Sequence, residues 1–132
     1  MRRVFLGGTC NESTWRDEMM DYLYAWGVEY FNPVVDDWND EAYKNELRER
    51  EICDYCLYTI TPKMTGVYSI AEVVDDSNKR PEKTVFVVLE EAGEVFTDGQ
   101  MRSLKAVATM VEKNGGKSFN DLKSASKFII AD

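Results

Sequence analysis

Glu72 is the residue whose surroundings in the sequence best suit it for chemistry. Apolar residues flank it on both sides, at positions 70–71 and 73–74, so partial burial is expected. Burial raises the pKa of a carboxylic acid, and catalytic carboxylates commonly have such a shifted pKa. There is also a purely structural alternative, because Ser69 and Glu72 have the S-x-x-E spacing of a helix capping box.

The absence of histidine limits the chemistry that the chain can do. Acid–base work falls to Asp, Glu, Tyr, Cys or Lys, which excludes Ser-His-Asp and Cys-His catalytic triads. Cys53 and Cys56 form a C-x-x-C pair, but neither histidines nor a second such pair accompany it. We therefore interpret these cysteines as residues that lead into a buried strand, and we predict neither a metal nor a cofactor.

The other candidate residues lie in three polar loops, each of which follows a predicted strand. Ligands of an open parallel sheet bind beyond the carboxyl ends of the strands, at the point where the strand order reverses. We therefore expect the three loops to form one cleft. The loops are residues 7–13, with Gly7, Gly8 and Thr9; residues 32–38, with Asn32, Asp36, Asp37 and Trp38; and residues 61–69, with Thr61, Gly66, Tyr68 and Ser69.

Apolar periodicity predicts the elements that carry these loops. Residues 84–89 are apolar on both faces, as is typical of the middle of a parallel sheet. Strands are predicted at residues 4–6, 28–31, 55–60, 84–89 and, as a short edge strand, near 118–119. Helices are predicted from residue 13 to 26, 41 to 52, 66 to 74, 97 or 98 to 114, and 121 to 130.

Alternation of strands and helices predicts an α/β fold. We expect a flavodoxin-like or Rossmann-like three-layer sandwich with a parallel sheet in the order 2-1-3-4-5. The sheet has five strands, or four if the edge strand does not form. The sequence contains no internal repeat or linker, so residues 1–132 are expected to form one domain.

Several helix starts and one charge pair can also be predicted. Thr14 and Asp17 have the spacing of a capping box, and Asn39 or Asp40 is expected to cap the second long helix. Thr97 or Asp98 is expected to cap the fourth. The second helix is rich in charge pairs at i,i+4 spacing, such as Glu46 with Arg50.

Composition narrows the possible partners and the compartment. The net charge of −8 repels a phosphate backbone, so a nucleic acid polymer is an unsuitable partner. No apolar run approaches the roughly 20 residues that span a bilayer, and the basic start of the chain is interpreted as a strand rather than a signal peptide. Three cysteines with a good core favour a reducing, cytoplasmic environment.

The sequence resembles the nucleoside 2-deoxyribosyltransferase family, and in particular its small deoxyribosyltransferase-like branch, over most of the chain. The similarity is carried by Phe5-Leu6-Gly7-Gly8-Thr9, Trp15-Arg16, Asn32-Pro33, Thr61-Pro62, Gly66, Ser69 and Glu72.

The resemblance implies that a nucleoside or nucleotide is the substrate and that the sugar–base bond is cleaved or transferred. Glu72 matches the family's glutamate nucleophile, Gly7–Thr9 would line the sugar or phosphate pocket, and Gly66 and Ser69 would hold sugar hydroxyls or a 5′-phosphate. Asp36 and Asp37 are the candidate general acids, with Tyr68 a poorer one, and Trp38 could stack on a base. The family also implies a homo-oligomer.

Three alternatives remain open from the sequence. Well-characterised transferases have aspartates at the places of Thr61 and of Thr65-Gly66 here, which is compatible with a non-catalytic nucleotide-binding sensor. Hydrolysis could replace transfer, with water in the role of the acceptor base. Finally, the loop at residues 7–11 has a faint similarity to a flavodoxin phosphate loop, which would imply bound flavin mononucleotide.

Overall fold

The computed structural model describes residues 2–10, 13–91 and 93–131. Five strands alternate with five α-helices along the chain. The strands are β1 (Arg3–Gly8), β2 (Glu29–Phe31), β3 (Tyr55–Ile60), β4 (Thr84–Val88) and β5 (Lys117–Phe119). The helices are α1 (Trp15–Ala25), α2 (Asp40–Ile52), α3 (Tyr68–Lys79), α4 (Asp98–Lys113) and α5 (Leu122–Ala131), and a 3-10 turn, Pro81–Lys83, precedes β4.

The five strands form one parallel sheet in the order β2-β1-β3-β4-β5. The predicted α/β architecture and strand order are therefore confirmed, and the edge strand β5 does form, with Val85 paired to Lys117. β1 pairs with β3 from Val4–Tyr55 to Gly8–Thr59, so the two strands end side by side. That shared end is where the strand order reverses.

Alternation within the strands divides the core between the two faces of the sheet. In β4, Val85 and Val87 pack with α1 and α5 on one face, whereas Phe86 and Val88 pack with α3 and α4 on the other. All four side chains are buried, which is why the sequence of this strand is continuously apolar. Within the described residues, no helix combines the length and the apolar character that crossing a bilayer requires.

The capping predictions have mixed outcomes. Asn39 caps α2 by accepting a hydrogen bond from the Ala42 N–H, and Thr97 forms a capping box with Gln100 at α4. The predicted capping box at Thr14 is wrong, because the Thr14 side chain makes no capping hydrogen bond. The reason is conformational: Thr14 has φ −104° and ψ 8°, not the extended backbone that points a capping side chain at the first turn.

Close packing against β3 requires glycine at the end of β1. A Cβ atom on Gly7 would lie 2.6 Å from the ring of Tyr58. Gly8 has φ +121°, and a Cβ atom there would lie 2.0 Å from the carbonyl oxygen of Thr59. These two glycines are therefore needed for strand packing, whatever approaches them from the loop side.

Candidate functional site

A cavity of about 430 Å³ opens beyond the carboxyl ends of β1 and β3, within the size range of small-molecule sites. It lies where the strand order reverses, as predicted for a sheet of this kind. Its walls come from the β1–α1 and β2–α2 loops, from α2, from the β3–α3 loop and from α3. The lining residues are Gly8, Thr9, Cys10, Pro33, Val34, Val35, Trp38, Glu46, Met64, Thr65, Gly66, Tyr68, Ser69 and Glu72.

The three loops singled out in the sequence do meet at this cavity. Each loop contributes at least one predicted residue to the wall, and the predicted carboxylate on α3 joins them. The predicted residues found here are Gly8, Thr9, Trp38, Gly66, Tyr68, Ser69 and Glu72.

The other five predicted residues lie outside the lining of this cavity. Gly7 packs against Tyr58, and the side chain of Asn32 accepts a hydrogen bond from the Val34 N–H. Asp36 and Asp37, the predicted general acids, are exposed on the β2–α2 loop. Asp36 and Asp37 therefore do not line the cavity that contains Glu72.

Thr61 has a structural role and borders a second cavity. Its N–H donates to the hydroxyl oxygen of Thr9 at 2.9 Å, which ties the ends of β1 and β3 together. The second cavity, of about 620 Å³, lies between α3 and α4, and Thr61 and Phe96 line it. Met64 lines both cavities and so forms part of the wall between them.

A buried arginine holds the turn after β1. The guanidinium of Arg16 donates to the carbonyl oxygens of Leu6 at 3.0 Å, Thr9 at 2.5 Å and Gly8 at 3.2 Å. Its Cζ lies 4.5 Å from the ring centroid of Trp15. Burial lowers the pKa of Arg16. The donors of this side chain are directed at the main chain, so it fixes the shape of the cavity wall.

Glu72 occupies the second turn of α3 and faces the cavity. The helix begins at Tyr68 with Val67 at its N-cap, so Ser69 is not a cap and the predicted alternative of a capping box does not form. Glu72 is only 7% exposed. Burial is the main cause that raises its pKa to about 7, with Glu46 and Asp76 acting in the same direction and Arg50 opposing them. Near neutral pH this carboxyl group is therefore divided between its two protonation states.

Glu46 is a second cavity carboxylate, and the sequence interpretation missed its position. It lies on α2, where it was assigned to a pair with Arg50, but its carboxylate accepts a hydrogen bond from the Trp38 indole N–H at 3.3 Å. Burial raises its pKa. Arg50 instead reaches the carboxylates of α3. The side of α2 that contains Glu46 is thus part of the cavity rather than a solvated surface.

Aromatic side chains form the outer rim of the cavity. Trp38 is 56% exposed and packs edge-on against Tyr43, with ring centroids 5.3 Å apart. A hydrogen bond with Tyr43 is the chief cause that raises the pKa of Tyr68 to about 12. Tyr68 therefore keeps its proton at neutral pH, so it can donate a hydrogen bond but is a poor general acid.

Cys53 and Cys56, the C-x-x-C pair, lie in surroundings that favour protonated thiols. Cys53 and Cys56 are free and buried, and the Cys53 thiol donates to Glu49. Burial raises the pKa of both thiols, that of Cys53 to about 12, so both remain protonated. The described residues contain no group of three or more histidine, cysteine or acidic side chains that could hold a metal ion.

The raised pKa of Glu72 makes stability depend on pH. Its ordinary value is 4.5, and the folded protein raises it to about 7. The neutral form of Glu72 contributes its full stabilisation at a pH below the pKa of the unfolded protein. This contribution is lost as the pH rises through the higher pKa of the folded protein. Replacing Glu72 by glutamine should remove this loss, which amounts to about 3 kcal/mol.

Urea unfolding of both proteins at about pH 5 and about pH 8 measures the difference. The wild type should lose more stability than Glu72→Gln over this interval. Equal losses in the two proteins would contradict the buried position of this carboxyl group.

The fold and the cavity together define a class of protein. It is a parallel α/β sandwich with a cavity at the switch point of its sheet. The wall of that cavity contains two carboxylates, Glu46 and Glu72, and no lysine or arginine among the residues that the structure describes.

Comparisons with known proteins place the chain within this class. The family model described as "Nucleoside 2-deoxyribosyltransferase like" matches residues 1–92. A solved structure of a 2-deoxyribosyltransferase from the psychrotolerant bacterium Bacillus psychrosaccharolyticus is similar in fold, with a TM-score of 0.59 and 13% sequence identity over 94% of this chain and 90% of that one. A search of curated proteins finds no match.

The chain belongs to the nucleoside 2-deoxyribosyltransferase-like family, because the family model covers well over half of its 132 residues. The resemblance inferred from the sequence is thereby confirmed. Glu72, Gly66 and Ser69 all fall within the matched segment.

Proposed function

We propose that this protein cleaves the N-glycosidic bond of a nucleoside and transfers the sugar to a second base or to water, with Glu72 as the nucleophile. The observation that carries the proposal is a buried glutamate that lines a small-molecule cavity and has a pKa of about 7. A carboxylate in such a position can be ionised for attack at neutral pH, and its burial strengthens its attraction for a developing positive charge.

Two displacements at the anomeric carbon account for the reaction. In the first, an oxygen of Glu72 bonds to the anomeric carbon, and the base leaves with the electron pair of the C–N bond and takes up a proton. In the second, a nitrogen of another base, or water, attacks this carbon, and the C–O electron pair returns to Glu72. Each displacement inverts the configuration, so the product retains that of the substrate.

Glu46 is the residue that we assign as general acid. It lines the same cavity as Glu72, whereas Asp36 and Asp37 are exposed outside it. Burial raises the pKa of Glu46, which favours the protonated form that a general acid needs. Its negative charge also raises the pKa of Glu72, so the two groups favour a state in which they share one proton.

The charge of the cavity favours nucleosides over nucleoside monophosphates. The lining contains two carboxylates, Glu46 and Glu72, which repel a phosphate when they are ionised. None of the described lining residues is a lysine or arginine that could pair with a phosphate. The net charge of −8 adds to the repulsion. The half-exposed rings of Trp38 and Tyr68 offer flat apolar surfaces on which a base can stack.

The test is a base-exchange assay. A panel of ribo- and deoxyribonucleosides, each with and without a 5′-phosphate, is incubated with a second free base, and released and exchanged bases are followed by chromatography. We expect exchange or release with at least one nucleoside, and a lower kcat/KM for its 5′-monophosphate. Binding of a nucleoside by calorimetry without turnover in any arm would favour the sensor function instead.

Glu46→Gln is expected to lower kcat for nucleosides by about 10²- to 10⁴-fold, the usual contribution of a general acid. The reason is that the departing base would lack its proton. The variant should retain near wild-type rates on a glycoside of the same sugar with 4-nitrophenol, which leaves as an anion and needs no proton. Steady-state kinetics with the two substrates measures both effects.

Asp36→Asn is the matched control, since Asp36 is a carboxylate that the structure places outside the cavity. It should leave both rates unchanged. If Glu46→Gln slows both substrates equally while Asp36→Asn slows only the nucleoside, the general acid is Asp36 and our assignment is wrong.

A further inference from the structure

Arg50 connects the buried polar residues behind the cavity to Glu72. It lies in the last turn of α2, is only 3% exposed and points at α3. One terminal nitrogen of its guanidinium lies 3.0 Å from an oxygen of Asp76 and 2.8 Å from an oxygen of Asp75. The other terminal nitrogen lies 3.8 Å from an oxygen of Glu72. A single cation thus faces three carboxylates, those of Glu72, Asp75 and Asp76, on one side of α3.

Asp76 is the fixed centre of this cluster. It is fully buried and accepts hydrogen bonds from the Tyr58 hydroxyl, from Arg50 and, at 2.7 Å, from Arg80. Two guanidiniums therefore share one carboxylate. Of these two, Arg50 also forms an ion pair with Glu72, whereas the ion pair that the structure gives Arg80 is with Asp76.

Glu72 supplies one of the negative charges that face Arg50 in this cluster. Arg50 and Arg80 supply two positive charges, which face Asp76, Glu72 and the partly exposed Asp75; Asp75 is also paired with Lys79. Conversion of Glu72 to a neutral ester removes one of the carboxylates that interact with the buried guanidinium of Arg50, so the ester loses an attraction that the free carboxylate has.

We propose that Arg50 is a positioning residue for Glu72, whose guanidinium favours the ionised form of the carboxylate at the cavity wall and favours its release from the glycosyl ester. The part that concerns the ester rests on the proposed function. In the release step, the attacking nitrogen or water oxygen bonds to the anomeric carbon, the C–O bond to Glu72 breaks with its electron pair, and the proton lost by the nucleophile passes to Glu46. Arg50 stabilises the carboxylate that leaves.

The other groups around Glu72 do not substitute for Arg50. Glu46 from α2 and Asp76 from α3 are like charges that raise the pKa of Glu72, as burial does. The hydroxyl of Tyr58 from β3 donates a hydrogen bond to Asp76, and Tyr68 from α3 is neutral. Arg16 from α1 lowers the pKa of Glu72 less than Arg50 does, and its donors are directed at carbonyl groups.

The experiment compares Arg50→Gln with Arg80→Gln, because both remove one guanidinium from Asp76 and only the first removes the ion pair with Glu72. The titration midpoint of the Glu72 carboxyl carbon is followed by NMR without substrate. We expect Arg50→Gln to raise it by about one pH unit or more, which is a tenfold change in the ionisation equilibrium. Arg80→Gln should leave it at the wild-type value.

A second measurement follows the ester. Quenched reactions are analysed by intact-protein mass spectrometry, and the steady-state fraction of glycosylated Arg50→Gln should exceed that of the wild type and of Arg80→Gln. Arg50→Lys, which keeps the charge, should lie between the wild type and Arg50→Gln in both measurements. If Arg50 had only a structural role, Arg50→Gln would lower the thermal stability. The Glu72 titration midpoint and the glycosylated fraction would then be the same in Arg50→Gln and Arg80→Gln.

Folding of the variants is checked by near-UV circular dichroism. If Arg50→Gln does not fold, the double variant Arg50→Met with Asp76→Asn replaces it, because this pair of changes leaves no buried carboxylate at Asp76 without its cation. The same comparison with Asp76→Asn alone then isolates Arg50. If the titration midpoint of Glu72 is the same with and without Arg50, this inference is wrong. If the midpoints differ but neither glycosylated protein nor released base is detected, the proposed function alone is wrong.

Discussion

Glu72→Gln is expected to lower kcat for base exchange by about 10⁴-fold or more, the scale of loss when a nucleophile is removed. The amide of glutamine is nearly isosteric with the carboxylate but cannot form the glycosyl ester. The same substitution should increase stability above neutral pH, for the reason given by its raised pKa. For this variant, measured on one preparation, kcat should therefore fall while the free energy of unfolding above neutral pH rises.

Glu72→Ala provides a sharper version of this result. The smaller side chain leaves room for azide, which can attack the anomeric carbon directly. The product should be a glycosyl azide of inverted configuration, because only one displacement then takes place. Retention of wild-type kcat by either variant, with Glu46→Gln inactive, would mean that Glu46 rather than Glu72 is the nucleophile.

Gly8→Ala is expected to destabilise the fold by roughly 3 to 5 kcal/mol, from backbone strain and overpacking together. The backbone at Gly8 has φ +121°, which side chains disfavour, and the new Cβ would lie 2.0 Å from the carbonyl oxygen of Thr59. Because a backbone atom cannot rotate away, relief requires β1 and β3 to separate at their carboxyl ends, next to the cavity. Thermal unfolding and amide exchange at Thr9 measure the effect.

Gly66→Ala is the control for this prediction. Gly66 lines the same cavity, but a Cβ atom there would meet no atom within 4 Å. Its melting temperature should remain near that of the wild type. If Gly8→Ala had the same melting temperature as Gly66→Ala, β1 would be able to shift without cost. Close packing would then not explain why residue 8 is glycine.

The sequence was sufficient to predict features that depend on local pattern. The continuous apolar run of β4 and the alternation of strands with helices predicted the parallel sheet and its order. Asn39 and Thr97 were predicted as caps because polar residues preceded periodic segments. Glu72 was predicted to be partly buried from its apolar neighbours, and the structure places it at the cavity.

What the sequence did not predict depends on which side of α2 faces α3. The i,i+4 spacing of charges on α2 suggested ion pairs within the helix, so Glu46 and Arg50 were assigned to each other. Burial of Arg50 follows from contacts with Asp76, which lies 26 residues further along the chain. The direction of Asp36 and Asp37 was equally out of reach, because loop residues follow no periodicity that would assign each side chain to a face.

Met64 is shared by the walls of the two cavities. It lines the site at the switch point and also the space between α3 and α4. Methionine has three freely rotating side-chain bonds and fills irregular spaces easily. A substitution at residue 64 would therefore act on both cavities at once, and a smaller side chain there would leave more space between them.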